Sequence, residues 1–270
     1  IGPEQLQAIN PALIYCSLSG FGQTGPISTK AGHDLAYIAM GGGLAQRGQL
    51  RQAPSRSSLP VADIAGGSFA AVAILAAMHD RKEGETGAVL DLSLYESVLY
   101  SSAIRFGFET SVDENNHLYP ANDLFTCGDG RQIALTIVET KFWDSFVEVT
   151  REIQPAFGQN AFATEEGRLE NSDKLMALLD ELFASQPAAH WIAFLDPADV
   201  PATICVSNQE TITSDHAKVR AMHMKSGETT VMPFPVIASG KHVTSNQRTA
   251  PARSIDAEEI MGKLGYSASE

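Results

Sequence analysis

The chain has 270 residues, 44% hydrophobic and 19% charged, a globular composition long enough for one large core or two smaller ones. Its 19 lysines and arginines against 32 aspartates and glutamates leave a net charge of −13, which disfavours a nucleic-acid partner. Cys16, Cys127 and Cys205 are odd in number and far apart, which excludes a disulfide framework and a Cys-x-x-Cys metal knuckle and points to a reducing, cytoplasmic setting.

The sequence starts at Ile1, and Gly2-Pro3-Glu4-Gln5 reads as the first turn of a helix, so it is read as a fragment of a longer chain. Asn10-Pro11 stops that helix. Residues 12–18 form a short apolar run expected as a buried strand, followed by the Gly-rich loop from Ser19 to Pro26. Residues 34–40 suit one or two helical turns ended by Gly41-Gly42-Gly43. Residues 62–81 predict an apolar helix rich in alanine and glycine, 88–92 a strand, and 93–108 an amphipathic helix through Leu94, Val98, Leu99 and Ile104. Its longest unbroken apolar run, 69–78, is far below the roughly 20 residues of a membrane span, so no membrane association is expected. Strands alternating with helices indicate α/β layering with a largely parallel sheet.

The pattern then changes. Residues 111–120 are polar and end in proline, a linker signal. Gly128-Asp129-Gly130-Arg131 between two strand-like runs predicts a hairpin. Residues 139–151, 172–185 and 188–195 suit helices, 200–206 and 233–238 strands, and 255–264 a last helix before Gly265. The expected organisation is a large domain over 1–110, a linker over 111–120, a small α+β domain over 121–205, and a return segment to the large domain over 206–270.

Gly20-Phe21-Gly22-Gln23-Thr24-Gly25 matches dinucleotide-binding spacing. Pro26 follows it, no amphipathic helix opens, and the only nearby acid is Asp34, so a turn or a substrate-side loop is the expected role. Residues 35–62 contain no acid but carry Arg47, Arg51 and Arg56. That stretch suits a phosphate-bearing ligand or three solvated arginines, and both readings stand. His33, beside Asp34 and small neighbours, is a candidate general base, although a lone histidine is more often structural. Asp63 reads either as the N-cap of the apolar helix or as a carboxylate held in an apolar wall for acid, base or nucleophilic work. Glu139 reads as a first-turn acid that stabilises a helix start. His216 and His223 lack a third ligand, so no metal is expected.

The stretch from Asn10 to Pro26, Asp63-Ile64-Ala65-Gly66-Gly67 before an Ala-rich helix, and the run from Thr86 to Glu96 resemble the class III coenzyme A-transferase family, also called CaiB–BaiF. Ala31-Gly32-His33-Asp34 with Ala62-Asp63, and Ile137-Val138-Glu139-Thr140-Lys141-Phe142-Trp143, resemble its α-methylacyl-CoA racemase branch. The resemblance implies an α/β fold with a Rossmann-like large domain, incomplete at its N-terminus, and a small α+β domain, two chains interlocking as a homodimer. It implies His33 and Asp63 as the two acid/base groups flanking an α-carbon, with Glu139 of the other chain orienting His33. It also implies that Asp34 and amides near Asp63 assist the enolate. Gly32, Asp34, Tyr37 and Arg47 are the expected ligand contacts. The substrate is an acyl-CoA thioester and no separate cofactor is implied, coenzyme A being part of the substrate. Three functions follow from the resemblance. One is a racemase or epimerase of 2-methyl-branched acyl-CoA thioesters. Another is a CoA-transferase working through an aspartyl intermediate at Asp63. The third is a truncated chain without activity.

Overall fold

The computed structural model describes residues 2–53, 55–82, 85–103, 118–222, 224–226, 229–243 and 253–266. Most of the expected linker, residues 104–108 of the expected helix, and His223 lie outside them. The chain divides into two units, Ile1–Ile204 and Cys205–Glu270.

The first unit opens with α1 (Pro3–Ile9), β1 (Tyr15–Ser19), α2 (Asp34–Met40), α3 (Val61–Asp80), β2 (Val89–Ser93) and α4 (Leu94–Ser102). β1 and β2 pair in parallel, Tyr15 opposite Val89 and Ser19 opposite Ser93, with α3 as the crossover between them. α4 starts directly off β2 because the Ser93 hydroxyl accepts the Glu96 N–H, an N-cap that turns the strand into the helix. Phe21, Tyr37, Ile38, Ala62 and Val98 form a small core that ties the Gly-rich loop, α2, α3 and α4 together.

α3 buries a narrow stripe of small residues, Ala62, Gly66 and Ala70, which lets its neighbours approach closely. Its large apolar side chains face the other way, and Ile64, Val72, Leu75 and Met78 are each more than half exposed. Over the most apolar 18 of its 20 residues the mean hydropathy is 1.9, so by length and composition this helix is long and apolar enough to cross a membrane. The count of unbroken apolar residues missed this, since Gly66, Gly67 and Ser68 interrupt the run without making the helix polar.

A second, larger core follows, built on β3 (Asn122–Thr126), β4 (Gln132–Thr136), α5 (Thr140–Thr150), α7 (Ser172–Ala184), α8 (Ala188–Leu195) and β5 (Ala202–Ile204), with the short α6 (Glu165–Glu170) preceding α7. β3 and β4 make the expected hairpin, Thr126 opposite Gln132, and Gly130 takes the left-handed conformation at φ 78° that the tight turn requires. β5 adds antiparallel to β4. The helices follow from periodicity. α5 buries Trp143, Phe146 and Thr150, and α7 buries Leu175, Leu179, Leu182 and Phe183, each set on one face. Trp143, Phe146 and Phe157 meet in tilted and edge-on contacts with ring centroids 5.1–6.0 Å apart, each fully buried aromatic contributing about 1.5–3 kcal/mol. Arg168, almost fully buried, lies over the Trp143 ring at 5.1 Å and donates to the Phe162 carbonyl. Burial pulls its guanidinium below the ordinary arginine value, and Glu165, Asp144 and Glu166 oppose that.

The second unit contains α9 (Asn208–Thr213), α10 (Asp215–Val219), the hairpins β6 (Met224–Ser226) with β7 (Thr229–Val231) and β8 (Ile237–Ala238) with β9 (Lys241–His242), and α11 (Ala257–Lys263). Ser207 and Glu210 form a reciprocal capping box at the start of α9.

Candidate active site

Two helix N-termini meet in the first unit. His33 is the N-cap of α2, and Asp34, the first residue of that helix, accepts the Ala62 N–H through Oδ1 at 2.8 Å. One hydrogen bond therefore joins the residue after His33 to the residue before Asp63. The N-cap of α3 is Pro60, which offers no side-chain acceptor, so Asp63 is the third helical residue and does not act as the cap. Asp34 performs that task from the neighbouring helix, satisfying a donor that α3 cannot satisfy itself. The Asp63 carboxylate is left exposed and takes no hydrogen bond among the described residues. The Asp63 N–H likewise has no acceptor among them.

His33 is also exposed, and its ring makes no hydrogen bond among the described residues. An imidazole and a carboxylate thus stand at abutting helix ends, with an unpaired amide donor on the same turn. Asp34, by contrast, spends one oxygen on α3, so it acts first as a structural acceptor rather than as a donor to a substrate oxygen.

Of the expected ligand contacts, Tyr37 is turned into the core. It is 7% exposed, donates its hydroxyl to the Gly32 carbonyl at 2.6 Å and meets Phe21 edge-on at 5.1 Å. Gly32 and Gly20 lie flat against its ring, where an added Cβ would stand 2.8 and 2.6 Å from ring carbon Cε1. These groups hold the loop before His33 in place. Arg47 is exposed and lines an open cavity with Arg56, and Arg51 pairs with Asp180 at 2.6 Å.

Glu139 is the N-cap of α5 rather than a residue of its first turn, and its side chain does not cap the helix. It is exposed, and within this chain no hydrogen bond or ion pair joins it to His33 or Asp63. The structure thus brings together His33, Asp34 and Asp63 and leaves Glu139 on a separate element.

Asp91 is a supporting residue that the sequence reading did not single out. Both its carboxylate oxygens accept the Gln23 N–H, at 3.1 and 3.0 Å, and clamp the Gly-rich loop to β2. Its signal is an acid inside the strand Val89-Leu90-Asp91-Leu92. No helix opens after Gly25, since the next one starts at Asp34, so the loop offers no helix end to a pyrophosphate. Cys127 is no candidate nucleophile: it is buried, and burial with the Asp129 charge pushes its thiol up to about 11.

Comparison with known proteins identifies the family. The model of CoA-transferase family III matches residues 1–255. The chain is 28% identical to the alpha-methylacyl-CoA racemase of Homo sapiens over all of its own length and 72% of the racemase. It is 30% identical to the acetyl-CoA:oxalate CoA-transferase of Acetobacter aceti, over 88% of this chain and 62% of that enzyme. A CAIB/BAIF family protein from Brucella suis superposes with a TM-score of 0.79 at 24% identity, covering 98% of this chain and 71% of the other, a likeness of fold.

Proposed function

The chain belongs to CoA-transferase family III, and from that premise we propose that it acts as an acyl-CoA racemase, inverting the α-carbon of a 2-methyl-branched thioester. The observation that carries this reading is the pairing of His33 and Asp63 at abutting helix ends, held by the Asp34–Ala62 hydrogen bond.

Racemisation needs one group to remove the α-proton and another to return a proton on the opposite face. Neutral His33 takes the proton, the electron pair moves into the thioester carbonyl, and a protonated Asp63 delivers to the other face. The reverse direction exchanges the roles. The enolate oxygen carries the developing negative charge, and the unpaired Asp63 N–H at the start of α3 is placed to meet such a charge. In this proposal Glu139 comes from the second chain of a homodimer and orients His33, which accounts for its lying apart from His33 within one chain.

A second reading is favoured by the exposed, unpartnered Asp63 carboxylate and by the oxalate transferase likeness. Asp63 attacks the thioester carbonyl, the C–S bond breaks, and CoA leaves as thiolate to form an acyl anhydride. The thiolate then attacks the Asp63 carbonyl and releases the carboxylate product. That chemistry assigns no proton-transfer task to His33.

Paired variants test the first reading. His33→Ala should suppress α-proton exchange of one 2-methylacyl-CoA stereoisomer more than the other, and Asp63→Asn should show the opposite bias. Each should slow interconversion about 10²–10⁴-fold. A dead Asp63→Asn beside a nearly normal His33→Ala would contradict it.

A further inference from the structure

The three arginines of the acid-free stretch 35–62 have different surroundings. Arg51 is paired with Asp180 at 2.6 Å. Arg47 and Arg56 line one open cavity of about 370 Å³ together with Ser55, Ser57 and Asn122. Among the described residues no acid lines this cavity, and Arg56 has no hydrogen-bond or ion-pair partner. In a chain of net charge −13, Arg56, with Arg47 on the same cavity, makes a local cationic site.

That cavity continues into a second one of about 230 Å³, with which it shares Gly43, Gln46, Ser55 and Ser57. The second cavity is walled by Ile38, Leu44, Val61 and Val98 with Ser101 and Ser102, and among the described residues no charged one lines it. The two are arms of one cleft, one apolar and one cationic with hydroxyl donors. Val61 is two residues before Asp63, so the apolar arm begins at the helix end that carries the candidate carboxylate.

We infer that this cleft is a subsite for an amphiphilic oxyanion, its apolar stem in the Val61–Val98 arm and its phosphate or carboxylate on Arg56 and Arg47. A guanidinium suits both anions, since its N–H fork matches paired oxygens, and the serine hydroxyls add neutral donors. The inference rests on the acyl-CoA reading for the origin of the anion, which is either a phosphate of the coenzyme A moiety or a carboxylate at the far end of the acyl group. Binding itself does not depend on that reading, and the test is read by binding alone, so it can succeed where the racemase chemistry fails.

The test is titration calorimetry of the full chain with hexyl phosphate, hexanoate and, as the uncharged control, hexanol. At least one anion should bind in preference to hexanol. Arg56→Gln should weaken it about tenfold, the scale of one charge-assisted hydrogen bond, while Arg56→Lys retains part of it. Arg47→Gln gives an independent second reading, and unchanged circular dichroism checks that each variant is folded. Preference for hexyl phosphate assigns the anion to coenzyme A, and preference for hexanoate assigns it to a carboxylate-tailed acyl group. Hexanol binding as well as the anions, no binding of either anion, or anion affinity indifferent to both arginine variants would overturn the inference.

Discussion

The aspartates at the site divide by what they already hold. Asp34 accepts the Ala62 N–H and Asp91 accepts the Gln23 N–H, so each fixes a piece of backbone. Asp63 holds nothing among the described residues and is exposed, which suits a group that must give and take a proton. His33 and Asp63 stand out as candidates in the sequence, weakly from their neighbours and strongly from the family motifs, and the structure sets them at abutting helix ends. The role of Asp34 was not, because its partner lies 28 residues away and the bond exists only once α2 and α3 abut. Asp34→Ala should therefore act twice. Loss of an intersegment N-cap should cost about 1 kcal/mol in urea unfolding. It should also lower kcat with little change in KM, since Asp63 is displaced while substrate contacts remain. Unchanged kcat would show that the bond does not position the site.

At the scale of elements, hydrophobic period decided what could be read. α5, α7 and α8 carry apolar residues at helical spacing, and the hairpin carries Asp-Gly, so these were legible. α6 was missed because Glu165-Glu166-Gly167-Arg168-Leu169-Glu170 has no apolar face; its buried residue is Arg168, held by Trp143 from α5. The expected strand over 233–238 shrinks to Ile237–Ala238, since prolines at 233 and 235 cannot donate to a ladder. The two glycines Gly67 and Gly87 show how context sets the sign of a substitution. Around Gly67, inside α3, nothing lies within 4 Å of an added Cβ, so Gly67→Ala should raise stability by about 1 kcal/mol. At Gly87, before β2, a Cβ would overlap the Leu13 carbonyl, and backbone cannot yield as a side chain can. Gly87→Ala should lower stability by about 2–3 kcal/mol. Thermal unfolding of both variants checks the pair, and equal effects would contradict the packing described for β1 and β2.

At the scale of the whole molecule, two features bear on the proposed homodimer. The outer row of α3, with Ile64, Val72, Leu75 and Met78, is exposed, and Glu139 stands apart from the acid/base pair. Period shows which residues of a helix are apolar but not what covers them, so the expectation of a homodimer came only through the family resemblance. A homodimer with sites shared between chains makes a testable demand. Glu139→Gln and His33→Ala chains should each be slow alone, yet co-expressed they should recover about a quarter of wild-type activity, because half the dimers then hold one intact site of two. No recovery would place Glu139 in the same chain as the His33 it serves, or outside the site.

The central claim is that a proton, not coenzyme A, is what moves. It is tested most directly by incubating the chain with one pure stereoisomer of a 2-methylacyl-CoA in deuterium oxide, with a free carboxylate added, and reading the products by NMR and mass spectrometry. The account predicts deuterium at the α-carbon, accumulation of the opposite stereoisomer and no CoA on the added carboxylate. Retention of the α-hydrogen while CoA passes to the added acid, with Asp63 trapped as a hydroxamate by hydroxylamine, would contradict it.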